Sequence, residues 1–183
     1  MDELDRQVKE ALLSEREFKE ELKKIQRTVG KLIALTRPRS VMPMVHLIWR
    51  QDKELKHDVV GLSMPFNDSS ERQQITETLG KVYHGDGKLV VALFMVSEAW
   101  LAETTLEDKR PPSEHPDRKE IVQVAGSALG LGSLLDMVSF ATVRRLKKNR
   151  ITLEGWQDMA GAECRLLRHF WRGFFGKTLA SLN

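Results

Sequence analysis

The chain has 183 residues, of which 41% are hydrophobic and 30% charged, and this length suits one domain with an extension rather than two full domains. Its single cysteine excludes an internal disulfide and an all-cysteine zinc site. The sequence has no run of about 18 uncharged apolar residues, which a membrane helix needs, and its acidic N-terminus is unlike a signal segment. We therefore expect a cytoplasmic α+β protein with no membrane association.

The charge of the chain is nearly balanced in total but not in distribution. Lysine and arginine number 29 against 26 acidic residues, and the formal net charge of +3 is too small to indicate nucleic-acid binding by itself. Residues 2–37 hold nine basic and eight acidic side chains, whereas residues 144–183 hold nine basic and three acidic. The positive charge is therefore concentrated in the C-terminal quarter.

Residues 1–37 carry a regular apolar stripe. Steps of four and three residues separate its members, which is the spacing of a coiled-coil seam, and Glu15 is the single polar interruption. The stripe consists of Leu4, Val8, Ala11, Phe18, Leu22, Ile25, Val29 and Leu32. Such a stripe packs either on the chain's own domain or on a second helix, and its narrow width favours the second helix. We predict that residues 1–37 form a helical arm that makes a homodimer or larger oligomer through this stripe, or binds another protein.

Local signals mark where helical structure in this arm begins and ends. Ser14 and Glu17 have the spacing of a capping box, and Leu13 and Phe18 flank it as a hydrophobic staple. A helix therefore starts at this point, so that the arm is either one helix or two. Pro38 disfavours helical backbone at the residue before it and ends the arm.

The remainder of the chain, residues 38–183, is predicted to be one globular domain. Alternating or continuously apolar segments indicate strands, and capping residues followed by helical periodicity indicate helices. The predicted strands cover 44–50, 57–64, 89–96, 120–125 and 134–146, and the predicted helices cover 68–85 and 157–179. The segment 89–96 is apolar throughout and is expected at the centre of the sheet. The order ββαβββα predicts a five-stranded, mainly antiparallel sheet.

Two short segments flank a proline-rich loop after the predicted central strand. They read Ser-Glu-Ala-Trp at 97–100 and Pro-Ser-Glu-His-Pro-Asp-Arg-Lys-Glu at 112–120. This pairing resembles a pattern in small uncharacterised prokaryotic α+β proteins, and the resemblance implies no activity. The candidate polar site at this end of the sheet consists of Glu98, His115, Asp117 and Arg118. In the alternative interpretation, Glu98 and Arg118 form an ion pair that fixes the loop.

Catalytic and metal-binding patterns are few in this sequence. Metal ligands would have to come from separate segments, because the histidine spacings that are typical of metal sites do not occur. The potential ligands are His46, His57, His115, Glu98 and Asp136. Cys164 lies among arginines on the predicted last helix, but its helical neighbours Gly161 and Leu167 favour an inert, partly buried thiol. We assign no catalytic residue, metal or cofactor, and an enzyme is the less favoured interpretation.

Five basic side chains fall within seven positions near the end of the fifth predicted strand. They are Arg144, Arg145, Lys147, Lys148 and Arg150. Such a cluster can contact phosphate groups without sequence specificity. Successive residues of a strand face opposite sides, so these side chains are expected to diverge, and lysines at a sheet edge also prevent edge-to-edge association. Nucleic acid is therefore expected to be at most a weak partner.

Three functional hypotheses follow, each on a different part of the chain. The first is a non-catalytic interaction or structural protein that homo-oligomerises through its N-terminal helix. The second is a small-molecule or metal-dependent enzyme with its site at the edge that holds Glu98 and Asp117. The third is a protein that associates weakly with nucleic acid through residues 144–150. Function depends on the site rather than on the fold, so the surroundings of these residues distinguish the hypotheses.

Overall fold

The structure is a computed structural model that describes residues 12–51, 54–62, 69–102, 108, 110–130, 134–159 and 164–176. Within these residues there are three helices, which are α1 (Glu15–Thr36), α2 (Ser69–Gly85) and α3 (Arg165–Phe175). The strands in the same residues are β1 (Met44–Gln51), β2 (Glu54–Gly61), β3 (Val90–Leu101), β4 (Lys119–Leu129), β5 (Leu134–Arg145) and β6 (Ile151–Met159). None of the three helices combines the length and the hydropathy that a bilayer span requires.

The six described strands form one antiparallel sheet in the order β2-β1-β3-β4-β5-β6. β3 lies between β1 and β4, and nearly all of its apolar first half is buried, as its sequence predicts. Helix α1 covers one face of the sheet, and helices α2 and α3 pack against each other over the opposite face. The predicted α+β class with an N-terminal helix is therefore confirmed, with six strands in place of five.

β6 is the strand that the sequence pattern does not predict. It occupies the start of the helix predicted over 157–179, and the observed helix begins only at Arg165. The ladder between β5 and β6 skips Gly155, which has a φ of 24° and forms a bulge. This bulge interrupts the apolar and polar alternation between Leu153 and Trp156, so that the period of two typical of a strand is lost.

Helix α1 begins and ends where its capping signals predict. The Ser14 N–H donates to the Glu17 carboxylate at 2.8 Å, and the Glu17 N–H donates to the Ser14 hydroxyl at 3.2 Å, which confirms the capping box. Leu13 and Phe18, the predicted staple, are both buried. The helix ends before Arg37, whose backbone is left-handed. Between these ends the helix is continuous.

The apolar stripe of α1 packs on the chain's own sheet, which corrects the predicted oligomer interface. Four of its five described members are buried at 4% exposure or less in a core that they share with β1, β3 and β4, namely Phe18, Leu22, Ile25 and Val29. The Phe18 ring lies 5.0 Å from that of Phe94 on β3. These four side chains are therefore part of the monomer core. The stripe also includes Leu32, which is exposed, and Leu4, Val8 and Ala11, which lie outside the described residues.

Two polar residues explain why a stripe that looks narrow in sequence covers a sheet. Glu21 and Gln26 lie beside the apolar residues and are buried as well, so the buried face is wider than its apolar part. The Gln26 amide donates to the Ser139 hydroxyl on β5 at 2.7 Å, and the Glu21 carboxylate accepts from Lys24. Buried polar groups are tolerated when they find such partners. The described part of the predicted arm 1–37 therefore shares one core with the domain 38–183.

On the opposite face, α2 and α3 approach each other at two glycines. A Cβ atom on Gly173 would lie inside van der Waals contact of the Glu77 carbonyl oxygen, and one on Gly80 would meet the Phe170 carbonyl. Below this crossing Trp171 is fully buried, and its indole N–H donates to the Ser127 hydroxyl on β4 at 3.0 Å. The two helices thus form one layer on the sheet through direct backbone contact.

Candidate functional site

Glu98 lies near the end of β3 and binds the segment that leads from α1 into the sheet. Its carboxylate accepts the Val41 N–H at 2.7 Å. Burial raises the pKa of Glu98 above its ordinary value, and the nearby Glu120 carboxylate acts in the same direction, while the Val41 N–H opposes both. Glu98 therefore has a structural partner on the backbone of the preceding segment.

The other three residues of the predicted polar site have partners of their own. His115 is buried in the loop before β4, where its Nδ1 accepts the Asp117 N–H at 3.2 Å and its Nε2 lies 3.4 Å from the Asp108 carboxylate. The Arg118 guanidinium lies over the Trp100 ring, 5.0 Å from its centre. Among the described residues, no ion pair joins Arg118 to a carboxylate on β3, so the predicted pair with Glu98 is not formed.

A cleft of about 630 Å³ borders this end of the sheet. Its lining includes Glu98, Ser97, Gln123 and Trp100, but none of the other three residues of the predicted polar site. Within the cleft the Gln123 amide donates to the Ser97 hydroxyl at 3.2 Å. The described residues therefore do not assemble the predicted four into one site, although Arg72 and Glu120 join Glu98 in the lining of the cleft.

The residues considered as metal ligands do not assemble into a metal-binding group within the described residues, and the candidate nucleophile is a buried thiol. Over the described ranges, no group of three or more His, Cys, Asp and Glu side chains is arranged to hold a metal ion. Cys164 is buried, and burial raises the pKa of its thiol to about 12, with Asp136 adding to the effect. A thiol in this state is not the thiolate that nucleophilic chemistry requires.

His46 is a buried group whose titration affects stability. It is 8% exposed on β1, its Nε2 has no hydrogen-bond partner, and burial lowers its pKa, with the charge of His57 contributing. Since a histidine in the unfolded chain titrates near about 6.5, the unfolded state binds more protons below this pH and stability falls. The charged neighbour that acts on His46 is His57 on β2, whose Nε2 in turn lies 3.4 Å from the Glu21 carboxylate on α1.

We predict that His46→Leu makes the free energy of unfolding less dependent on pH between 7.5 and 5.5. The wild-type loss over this range should exceed that of the variant by at most about 1.4 kcal/mol, because only the pH unit between about 6.5 and 5.5 lies below the titration of the unfolded histidine. Urea unfolding at both pH values measures the difference. His57 and Glu21 are present in both proteins, so their own contributions appear in both curves, and equal losses in the two proteins would contradict the prediction.

The predicted basic cluster divides into residues with different roles. Arg145 pairs with Glu120 on β4, with its Nε 2.8 Å from the carboxylate, and also donates to the backbone carbonyls of Arg39 and Asn149 at 3.3 Å. Arg145 therefore connects the segment after α1 with the turn between β5 and β6. The exposed Arg144 and Lys147 have no ion-pair partner among the described residues.

The last two members of the cluster face a second basic segment across a small pocket. The pocket has a volume of about 250 Å³ and is lined by Lys148 and Arg150 on one side and by Arg37 and Arg39 on the other. Pro38 and Thr36 complete the lining, so no acidic residue of the described chain contributes. We call these four cationic residues the basic pocket, and the basic pocket together with Arg144 and Lys147 the basic surface.

The backbone around the basic pocket is strained. Arg37, Lys148 and Asn149 have φ values of 44°, 62° and 56°, and they are the only non-glycine residues with positive φ in the part of the chain that the structure describes. A left-handed residue with a side chain costs about 1 kcal/mol or more, and glycine would avoid this cost. Such strain is concentrated at functional sites because it persists only where the surroundings impose it.

Sequence reasoning identifies half of the basic pocket. Lys148 and Arg150 belong to the predicted cluster, but Arg37 and Arg39 are more than 100 positions away, at the end of the predicted arm and the start of the predicted domain. The Ile151 N–H donates to the Pro38 carbonyl at 2.9 Å and brings the two segments together. The available local signal is the sequence Arg-Pro-Arg directly after a helix.

Comparisons with known proteins do not assign the chain to a family. No protein-family model, curated protein or solved structure matches it. The arguments for its function are therefore the geometry and the charge of the sites described above.

Proposed function

We propose that this protein is a non-catalytic binding protein whose basic surface contacts the phosphate backbone of nucleic acid. The proposal rests on one observation, the presence of four cationic residues from two distant segments in the lining of one small, open pocket. None of the four has an ion-pair partner among the described residues. Guanidinium groups bind phosphate oxygens through paired hydrogen bonds, and lysine binds them as a point charge.

The dipole of helix α1 does not account for the number of cations in the basic pocket. This dipole is equivalent to about half a negative charge at the C-terminus, which one basic side chain offsets. The basic pocket instead gathers four full charges, two of which come from the turn between β5 and β6. Like charges that share one pocket repel each other, so an anion that lies between them relieves the repulsion.

A polymer of phosphates suits the remaining part of the basic surface. Two further exposed cations lie close to the pocket in the sequence, Arg144 at the end of β5 and Lys147 in the turn that follows it. Contacts with successive phosphates release counterions, and this release makes the affinity strongly dependent on salt. The six residues of the basic surface predict a logarithmic salt slope for duplex DNA no steeper than about −5.

Lys148→Gly should weaken binding while it stabilises the fold. The variant removes one cation, so the slope of log affinity against log salt for a 20-base-pair duplex should become shallower by about 0.9. Glycine accepts the φ of 62° without strain, so the free energy of unfolding should rise by up to about 1 kcal/mol. Fluorescence anisotropy over a salt series and urea unfolding measure the two effects.

Asn149→Gly is the matched control, since it relieves the neighbouring strained position without a change of charge. We expect a smaller gain in stability, since asparagine tolerates left-handed backbone better than lysine does, together with the wild-type affinity and salt slope. Equal affinities of the two variants would contradict a role of the Lys148 charge. Binding to polyglutamate as tight as to the duplex would contradict the preference for phosphate.

Self-association through α1 stays a prediction, with a different set of residues. The buried members of the stripe are occupied by the core, whereas Leu32 and Leu35 lie on the outer side of α1 at 48% and 84% exposure. Residues three apart on a helix are neighbours, so these two leucines form a small apolar surface. Leu4, Val8 and Ala11 lie outside the described residues and remain candidates for the same interface.

A further inference from the structure

The basic pocket concentrates charge more tightly than a contact with one backbone phosphate needs. Its four cations surround about 250 Å³, and Arg144 and Lys147 of the basic surface lie outside this volume. A phosphodiester inside a nucleic-acid strand carries one negative charge. A terminal phosphate is a monoester, which carries about 1.5 to 2 negative charges at pH 7 and presents three acceptor oxygens.

We propose that the basic pocket binds the terminal phosphate of a nucleic-acid strand, and this inference rests on the proposed function. The dianion matches the local excess of positive charge better than a diester does. Three of the four lining cations are arginines, each with five N–H donors, and the three free oxygens of a monoester accept more of these hydrogen bonds than the two of a diester.

The two sides of the pocket are fixed relative to each other before any ligand binds. The Ile151 N–H donates to the Pro38 carbonyl at 2.9 Å, and the Arg145 side chain donates to the carbonyls of Arg39 and Asn149. Arg145 is itself fixed by its ion pair with Glu120. A ligand therefore orders only the ends of the lining side chains, and this pre-organisation increases affinity.

The strained backbone positions coincide with the charges. Arg37 and Lys148 are left-handed, and each contributes a cation to the lining of the pocket. At the end of a helix and in a two-strand turn, glycine is the residue that these conformations favour. Arginine and lysine at these positions make the fold less stable than glycine would, but they supply charge. This is the pattern expected of a binding site.

The test compares two 20-base-pair duplexes of one sequence, with 5′-phosphate or with 5′-hydroxyl ends, in binding to the full chain by fluorescence anisotropy. At pH 7.5 we expect about tenfold tighter binding of the phosphorylated duplex, the effect of one additional charge-assisted contact. At pH 5.5 the preference should shrink, because the second proton of a phosphomonoester is bound below about pH 6. The pocket lining contains no histidine, cysteine or carboxylate side chain.

Two variants separate the pocket from the rest of the basic surface. Arg39→Gln should abolish the preference for the phosphorylated duplex, whereas Arg144→Gln should weaken the binding of both duplexes by the same factor.

Equal wild-type affinities for the two duplexes would overturn the terminal-phosphate inference and leave the proposed function intact. Failure to bind either duplex would overturn the proposed function itself. Binding of a nucleoside 5′-monophosphate as tight as that of the duplex would overturn the assignment to a strand end.

Discussion

Replacing Phe18 with alanine is expected to lower the free energy of unfolding by about 3 to 5 kcal/mol. The side chain is fully buried, and its ring packs on that of Phe94 in the central strand β3. Gly126 on β4 makes room for both rings, since a Cβ there would meet them at 2.5 to 3.1 Å. The variant leaves a cavity between helix and sheet that these elements cannot close by small shifts. Urea unfolding monitored by circular dichroism gives the value.

Leu35→Ala is the control on the same helix. This side chain is 84% exposed, so its removal should change the free energy of unfolding by less than about 0.5 kcal/mol. Sedimentation equilibrium on wild type and Phe18→Ala adds a second readout. Were Phe18 part of an interface between chains, its variant would dissociate the oligomer and leave the stability of the monomer unchanged, and that result would contradict the assignment of Phe18 to the monomer core.

Gly173→Ala is expected to destabilise the protein by about 3 kcal/mol, although alanine is the better helix former. The added methyl group would collide with the Glu77 carbonyl of α2, which is backbone and cannot move aside as a side chain can. The two helices must separate, and the aromatic residues below them lose contact. Thermal and urea unfolding of the purified variant measure the loss.

Gly30→Ala provides the opposite result in the same protein. Gly30 lies inside α1, and the nearest atom to its added methyl group would be the Trp156 indole nitrogen at 3.8 Å, an ordinary contact. Because no steric clash offsets the better helix propensity of alanine, the free energy of unfolding should increase by about 0.5 to 1 kcal/mol. Destabilisation by both variants, or by neither, would contradict the close approach of α2 and α3.

The elements that sequence reasoning predicts correctly are those with complete local signals. The capping box of Ser14 and Glu17 defines the start of α1, and the apolar run at 89–96 defines the central strand. In both, the information lies within a few neighbouring residues. β6 differs because one bulge at Gly155 shifts the side-chain alternation, and a pattern of period two does not tolerate an inserted residue.

The partner of α1 could not be predicted because it depends on polar residues that look exposed in the sequence. Glu21 and Gln26 widen the buried face only because Lys24 and Ser139 are there to bind them. A pattern that counts apolar residues alone therefore gives a stripe that fits a second helix. The choice between the two packings lies in the tertiary structure and not in the periodicity.

The basic surface is likewise predictable from the sequence only in part. The run from Arg144 to Arg150 is visible in the sequence, but its apparent divergence on a strand is wrong for Lys148 and Arg150, since the chain has already left β5 there. Arg37 and Arg39 join them only through the fold, because a hydrogen bond between segments more than 100 residues apart aligns the two runs. Charge clusters of this kind need coordinates to be recognised.

The burial of Cys164 gives this chain an internal reporter of local opening. Its Sγ donates to the Gly126 carbonyl at 3.2 Å, and its backbone N–H donates to Asp136 at 3.1 Å, so the thiol is enclosed between the start of α3 and the sheet. A maleimide or disulfide reagent reacts with it only after this region separates from β4 and β5. Because the chain has one cysteine, the labelling rate in native buffer measures the frequency of that single event without an engineered probe.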